Sequence, residues 1–172
     1  MRIGARFGVL AALVLSLSVW AHAGSSTTNP DGDKDHKGQG YVFFAPGGII
    51  GDGYSVGTLH FGGGGEALLY RGLGIGAEAG YLAPWRQLGD GIGLLSIDGS
   101  YHFRRNQRFT PFITGGYSLG FRSGTANLIN FGAGAHYWFK DQVGLRFEFR
   151  DHIDPSYLND HYLSGRIGIS FR

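Results

Sequence analysis

The sequence predicts an all-β fold, an antiparallel up-and-down barrel of eight strands, on the basis of three observations. Apolar and polar residues alternate with a period of two along eight segments, which is the pattern of strands with two chemically different faces. Short polar turns join alternate segments, as in a meander of sequential antiparallel strands. The chain has no cysteine, so packing or a closed sheet must hold it together without disulfides.

The first 23 residues are predicted to be a secretory signal peptide. Two arginines precede an apolar run, and the small-residue sequence Ala-His-Ala follows it and ends at Ala23, where cleavage is expected. A membrane anchor helix is the alternative, but the apolar run is short for a hydrocarbon layer of about 30 Å. Residues 24–38 are polar and lack periodicity, so they are expected to form a flexible leader before a barrel domain at 39–172.

The net charge of the mature chain indicates which classes of partner to expect. Cleavage after Ala23 removes two of the 15 lysines and arginines and leaves 13, which equals the 13 acidic residues. A neutral mature chain gives no electrostatic reason to expect nucleic acid as a partner. Charged residues make up 16% of the chain, against about 25% in ordinary soluble domains. This low fraction indicates that much of the surface does not face water.

The alternation places strands at eight positions along the chain. They are 39–48, 56–70, 73–84, 91–103, 109–122, 127–139, 143–152 and 161–172. The short turns are 71–72, 104–108 and 140–142, and the longer connections are 47–55, 84–90, 123–126 and 153–160. The first strand is ambiguous, because its sequence YVFFAP does not alternate.

The chemistry of the two strand faces predicts which face is inside. In residues 143–152, VGLRFEFRDH, one parity holds Val143, Leu145, Phe147 and Phe149, and the other holds Arg146, Glu148 and Arg150. Strands two to eight are all expected to keep their charged residues on the polar parity. A soluble barrel would carry many lysines on that polar face, yet the mature chain's lysines all lie outside the strands, at Lys34, Lys37 and Lys140. The polar face, mostly Gly, Ser, Thr and His, therefore suits an enclosed lumen.

Aromatic residues on the apolar parity gather near the strand ends. They are Tyr101, Phe103, Phe109, Tyr137, Phe139 and Phe171 at the short-turn end, and Tyr81, Tyr117, Phe121 and Phe149 at the other. Two aromatic girdles around an apolar band are typical of a transmembrane barrel. Lipid requires every backbone group to be paired, so the sheet must close. The full prediction is an eight-stranded antiparallel up-and-down transmembrane β-barrel.

The signal peptide, the eight strands, the three tight turns and the final strand LSGRIGISFR together resemble the small OmpA-like eight-stranded outer-membrane β-barrel proteins. The resemblance covers residues 39–172 and implies a location in the cell outer membrane. It also implies outer-membrane lipid and lipopolysaccharide as surroundings, and the barrel-assembly machinery as a partner during insertion. The termini and short turns would be periplasmic, the longer loops external and the protein a monomer.

Charged residues with lumen parity are predicted to form a network across the lumen. Its members are Glu66, Glu78, Asp98, Arg146, Glu148, Arg150 and Arg166. Counting residues around the turns sets Glu66 opposite Glu78, Glu78 opposite Asp98, and Asp98 opposite Thr114. It also sets Arg146 and Glu148 next to Arg166. Arg146, Arg150 and Arg166 are expected to reach across to Glu66, Glu78 and Asp98. The alternative is that waters solvate the acidic and basic walls separately.

A glycine-rich run and three histidines on the lumen parity have structural interpretations. The glycines of GGGGE at 62–66 are expected to make room for long lumen side chains, because no phosphate-loop motif follows them. His60, His102 and His136 have lumen parity and are expected to be hydrogen-bonded plug residues.

A second set of polar residues clusters in the last loop: His152, Asp154, Ser156, Asp160 and His161. A lipid A-modifying barrel enzyme or a metal site is one interpretation, and a polar surface loop is the other. A narrow pore is a third class, although eight strands leave an interior that side chains fill. We therefore expect a structural, stabilising or surface-interaction role, without catalysis, cofactor or metal.

Overall fold

The computed structural model describes residues 37–51, 53–104, 107–155 and 157–172, with the side chains of 157–159 excepted. The predicted signal peptide and all but the end of the leader lie outside these residues, as does Ser156. No helix in the described ranges has the length and apolar character needed to cross a membrane.

Eight antiparallel strands form a closed barrel in which each strand pairs with its neighbours in sequence and β8 pairs with β1. The strands are β1 Gly38–Gly51, β2 Tyr54–Tyr70, β3 Leu73–Pro84, β4 Ile92–His102, β5 Phe109–Phe121, β6 Thr125–Trp138, β7 Val143–Asp154 and β8 Tyr157–Phe171. The predicted fold is confirmed, and the bounds of β3 coincide with those predicted. We call the end that holds Gly38 and Phe171 the terminal end and the opposite one the loop end.

Two of the predicted longer connections are largely strand. β1 continues to Gly51 and β2 begins at Tyr54, while β7 continues to Asp154 and β8 begins at Tyr157. The prediction ended these strands where the alternation of side chains ends. Backbone groups go on pairing beyond that point, because antiparallel pairing does not depend on alternation. The longest connection at the loop end is therefore the one between β3 and β4, which contains the short 3₁₀ helix Leu88–Asp90.

The two faces of the sheet have the predicted orientation, except that Asp151 on β7 has the outward parity, so the expectation that every charged residue of strands two to eight faces the lumen is wrong there. Large apolar side chains point outward and are exposed along every strand, and the girdle aromatics are among them except Tyr81, which is half-buried. Inward-facing side chains are mainly polar or charged and are buried. The outer face is therefore a surface for lipid, and the interior is a polar core.

The ambiguous first strand carries apolar residues on both faces. Tyr41 and Phe43 point inward and are 7% and 6% exposed, whereas Val42 and Phe44 point outward and are 53% and 47% exposed. The sequence of β1 lacks alternation because its inward aromatic rings pack against charged lumen side chains. Arg146 lies 4.3 Å from the ring centre of Tyr41, and Arg166 lies 4.4 Å from that of Phe43.

The predicted register of the acidic wall is wrong by two residues. Glu66 lies opposite Gly76 and Glu78 opposite Gly64, so the two carboxyl groups do not face each other. Tyr70 pairs with Leu73 at the turn, which accounts for one of the two residues, and a β-bulge between Leu68 and Tyr70 shifts the pairing by the other. In the β3–β4 ladder Glu78 faces Ser96 rather than Asp98, and in the β4–β5 ladder Asp98 faces Gly116 rather than Thr114. On the other wall, of the two residues expected next to Arg166, Glu148 lies opposite it and Arg146 lies opposite Gly168.

The Arg-Gly sequence of the turn between β2 and β3 is related to its backbone conformation. Arg71 and Gly72 have φ values of 47° and 92°, both in the left-handed region. A two-residue hairpin turn of type I′ requires positive φ at both positions, and glycine adopts it without strain. The tight turn and the adjacent bulge together set the level of Glu66 in the lumen.

Candidate functional site

The candidate site is the set of charged side chains inside the barrel. All seven predicted members of the network point inward, and each is between 1% and 9% exposed. They come from β2, β3 and β4 on one side of the lumen and from β7 and β8 on the other. A group of charges this deeply buried is stable only if its members pair with one another and fill their hydrogen-bonding capacity.

Two ion pairs cross the lumen. Arg166 Nη1 on β8 donates to both carboxylate oxygens of Glu78 on β3, at 2.9 and 2.8 Å. Arg150 Nη1 on β7 donates to Asp98 Oδ2 on β4, at 2.8 Å, and lies 3.8 Å from Glu78 Oε2. Each of these bridges joins strands that are three positions apart in a barrel of eight, so the side chains must span the interior.

Glu148 links the arginines of β7 to each other. Its Oε1 accepts a hydrogen bond from Arg150 Nε at 2.5 Å, and its Oε2 accepts two from Arg146, at 3.0 and 2.8 Å. Arg146 therefore pairs with Glu148, an acid of its own wall. The prediction that it reaches across the lumen to Glu66, Glu78 or Asp98 is wrong. Its guanidinium lies between the rings of Tyr41 and Phe112, which hold it close to β7.

Glu66 has a partner that the predicted network did not include. His102 Nε2 lies 2.9 Å from Glu66 Oε1, Gln39 Nε2 donates to Oε2 at 2.6 Å, and Ser100 also donates to the carboxylate. The network has four carboxylates and three guanidinium groups, and His102 adds an imidazole partner for Glu66. The sequence signal for this partner was the lumen parity of His102 on β4, which lies two strands from Glu66 around the barrel.

The lumen histidines differ in their partners. His102 and His136 are hydrogen-bonded as predicted, the latter through its Nε2, which lies 2.9 Å from Arg146 Nη1. The prediction is wrong for His60, whose two ring nitrogens have no hydrogen-bond partner among the described atoms. Its ring packs edge-on against Phe43, with 4.9 Å between the ring centres.

Neutral side chains complete the coordination of the acids. Tyr41 donates its hydroxyl to Glu78 Oε2 at 3.0 Å, and Asn130 Nδ2 donates to Asp98 Oδ1 at 2.8 Å. Asn130 also donates to Ser118 Oγ at 2.9 Å. Sequence reasoning selected residues by charge and so missed these partners, although Asn130 has lumen parity on β6.

Glycines opposite the charged residues provide the space for them. A methyl group placed on Gly64 would lie 2.8 Å from the Tyr41 hydroxyl, and one on Gly132 would lie 3.2 Å from Glu148 Oε1. Gly62 and Gly64, the inward-facing glycines of the run at 62–65, therefore make room for the inward rings of Phe43 and Tyr41.

The sheet separates the histidines of the last-loop cluster. His152 points into the lumen, is buried and stacks on Tyr162 with 5.1 Å between the ring centres. His161 lies on the outer face and pairs with Asp151. Among the described residues, no group of three or more His, Asp or Glu is placed to hold a metal ion.

Comparison with solved structures finds proteins of the same architecture. Neisserial surface protein A (NspA) matches with a TM-score of 0.61 and 12% identity, over 79% of this chain and 97% of that one. Ail of Yersinia pestis matches with a TM-score of 0.59 and 13% identity, over 78% and 96%. The N-terminal barrel of Pseudomonas aeruginosa OprF matches with a TM-score of 0.53 and 18% identity, over 78% and 98%.

The chain has the fold of a small outer-membrane β-barrel. Its apolar outer face suits membrane lipid, and its polar core lies in the barrel interior. No protein-family model and no curated protein sequence matches the chain. At these low identities the similarity concerns the fold, so the role of this barrel has to be argued from its own side chains.

Proposed function

We propose that this chain is a non-enzymatic outer-membrane barrel whose lumen charge network closes the interior and stabilises the fold, leaving the loop end for surface interaction. The observation that carries the proposal is the pair of bridges from Arg166 to Glu78 and from Arg150 to Asp98. The proposal includes insertion by the barrel-assembly machinery and a monomeric state in the membrane.

Closure follows from the size of the barrel and the length of these side chains. Eight strands leave an interior that side chains can fill. Arg150 and Arg166 extend from one wall to acids on the other, and Phe43 and Phe112 pack against neighbouring guanidinium groups. An ion that crosses this level would have to displace buried ion pairs, which supports a closed barrel over a narrow pore.

The loop end offers a rigid feature for contact with other molecules. The connection between β3 and β4 exposes Trp85, which is 61% exposed, and Leu88. Arg122 holds the connection through the Asp90 backbone oxygen and Oδ1, both at 3.0 Å, and Tyr81 donates to the Leu88 backbone oxygen at 2.7 Å. An ordered loop that presents a tryptophan supports a role in surface interaction.

Conductance in a planar bilayer and ion leak from lipid vesicles test whether the lumen is closed. We expect no sustained conductance from the wild-type barrel in a planar bilayer. The double variant Asp98→Ser/Arg150→Ser removes the bridge between these residues, together with the contacts of Arg150 to Glu78 and Glu148, without changing the net charge. It should raise the leak of small ions. The matched control Asp90→Ser/Arg122→Ser deletes an ion pair outside the lumen and should leave the leak unchanged.

Two results would overturn the proposal. Steady single-channel steps from the wild-type barrel would show that the lumen is open. Release of acyl chains from lipid A by the same reconstituted sample would show that the barrel is an enzyme.

A further inference from the structure

The turns at the terminal end of the barrel carry a series of positive charges. These turns join β2 to β3, β4 to β5 and β6 to β7. Their described basic residues have exposed side chains, and none of them forms an ion pair with another described residue. They are Arg71, Arg104, Arg108 and Lys140, which we call the basic rim. Asp141 is the one acidic residue described in the same turns.

Backbone hydrogen bonds place the members of the basic rim one after another around the barrel. The backbone nitrogen of His102, next to the β4–β5 turn, donates to the Gly72 backbone oxygen at 2.8 Å. The backbone nitrogen of Trp138, next to the β6–β7 turn, donates to the Arg108 backbone oxygen at 2.7 Å. Each turn therefore adjoins the next, and the four charges follow the perimeter of the barrel instead of gathering in one pocket.

Each member of the basic rim directly follows or precedes an exposed aromatic residue in the sequence. The four pairs are Tyr70–Arg71, Phe103–Arg104, Arg108–Phe109 and Phe139–Lys140. The aromatic residues are 42% to 62% exposed, and the Arg71 guanidinium lies 5.1 Å from the centre of the Tyr70 ring. Aromatic belts of a transmembrane barrel lie at the membrane–water interface. The positive charges of the rim therefore lie at the level of the lipid headgroups.

Turn geometry alone does not account for the two arginines at positions 71 and 104. Of the described residues other than glycine, only these two have positive φ values, 47° and 53°. Glycine and asparagine adopt this left-handed conformation more readily than a long side chain does. A strained residue in an exposed turn points to a role for its side chain, which here carries a permanent positive charge.

The loop end does not share this excess of positive charge among its described residues. Arg86 and Arg122 are accompanied there by Asp90, Asp154 and Asp160, and Arg122 is paired with Asp90. The charge on the described part of the barrel is therefore asymmetric, and the terminal end is the one that favours an anionic partner.

We propose that the basic rim binds the headgroups of anionic phospholipids in the membrane leaflet at the terminal end. A cation beside an exposed ring fits a phosphate that continues into glycerol and acyl chains, because the cation contacts the phosphate while the ring contacts the apolar part. The spread of the four charges around the perimeter fits separate lipid molecules better than one soluble polyanion. This site is distinct from the lumen charge network and does not depend on closure of the lumen.

Competition between two phospholipids with the same acyl chains tests the proposal. The full barrel is reconstituted with equal amounts of phosphatidylglycerol, which is anionic, and phosphatidylcholine, which is zwitterionic, and retained lipid is counted by native mass spectrometry. We expect the wild-type barrel to retain about fivefold more phosphatidylglycerol, the factor that one basic residue contributes at an anionic lipid surface. Equal retention of the two lipids would overturn the proposal.

Variants in the basic rim locate the effect. Arg71→Asn/Arg104→Asn removes two charges and places at both positions a residue that accepts positive φ, so the turns should be kept. This double variant should lose about half of the excess of phosphatidylglycerol, because two of the four cations remain. Adding Arg108→Gln and Lys140→Gln should abolish the excess. Arg71→Lys/Arg104→Lys keeps the charges and should keep the excess.

Arg86→Gln is the matched control at the loop end, where it removes a charge that follows the exposed Trp85. The excess of phosphatidylglycerol should remain in this variant. An unchanged excess in the fourfold rim variant would overturn the proposal, and so would loss of the excess in Arg86→Gln. Heat-modifiable mobility in gels checks that each variant is folded. If the fourfold variant does not fold, an unchanged excess in Arg71→Asn/Arg104→Asn is the result that overturns the proposal.

A second arm distinguishes a phospholipid from lipopolysaccharide as the source of the phosphate. Lipid A replaces phosphatidylglycerol in the same measurement. Retention of phosphatidylglycerol that depends on the basic rim supports the assignment to a phospholipid, and dependence for lipid A alone would overturn it. Neither result affects the proposal that the lumen is closed, which the conductance and leak measurements test separately.

Discussion

Arg166 and Glu78 illustrate how a buried charge is accommodated in this barrel. The guanidinium meets both carboxylate oxygens through one nitrogen and lies over the ring of Phe43, while Tyr41 donates a further hydrogen bond to the acid. Arg166 and Glu78 are 88 residues apart in the sequence and three strands apart around the barrel. The contact therefore exists only when the sheet is closed, and it joins the last strand to the third.

A double-mutant cycle on this pair measures its coupling. Glu78→Gln and Arg166→Gln should each lower the free energy of unfolding by about 3–5 kcal/mol, because each leaves an uncompensated charge in the lumen. The double variant should lose less than the sum of the two. Unfolding by urea in lipid vesicles provides the measurement.

The exposed pair Asp90–Arg122 serves as the control for that cycle. Both side chains are about half exposed, so their coupling should be at most about 1 kcal/mol. Additive losses at Glu78 and Arg166 would contradict the charge network as a stabilising element.

Each strand has a lipid face and a lumen face, and β8 shows the difference clearly. Ile167 points outward, is 55% exposed and lies opposite Phe147 and Phe44 in the ladders. Ser164, three residues earlier, points inward and is buried, with its hydroxyl 3.4 Å from the Arg150 backbone oxygen. A substitution therefore acts through a different environment at each position.

Arginine substitutions on β8 test this orientation. Ile167→Arg should lower the free energy of unfolding by about 2–4 kcal/mol, as arginine does near the bilayer midplane. Ile167→Leu should be nearly neutral. Ser164→Arg would be mild in a roomy lumen, but the buried surroundings of Ser164 lead us to expect strong destabilisation. A barrel that folds in buffer without lipid or detergent, and tolerates Ile167→Arg, would contradict the outward orientation.

A closed sheet with an apolar outer surface is stable only in lipid, and the predicted signal peptide would export the chain to such a membrane. The predicted signal peptide lies outside the described residues and stays a prediction. We expect N-terminal sequencing of protein extracted from outer-membrane fractions to begin at Gly24. A chain that still begins at Met1 would contradict cleavage after Ala23.

The sequence alone was sufficient for the number of strands, their approximate positions and the orientation of their faces. These properties follow from alternation within single strands, so each strand carries its own signal. The lumen position of Glu66, Asp98 and Arg150 follows from the same parity. Alternation did not predict the faces of β1 or the strand ends at the loop end, where the side chains do not alternate. Backbone groups go on pairing there without an alternating sequence.

Register and partners were decided by the tertiary structure. The pairing at the turn and a bulge at Leu68–Tyr70 together move Glu66 away from Glu78, and no composition pattern of β2 marks that bulge. His102 pairs with Glu66, and Asp151 meets His161 on the lipid face, through contacts between different strands. Parity is a local property of one strand, whereas a contact across or around the barrel depends on every turn and bulge that sets the register between strands.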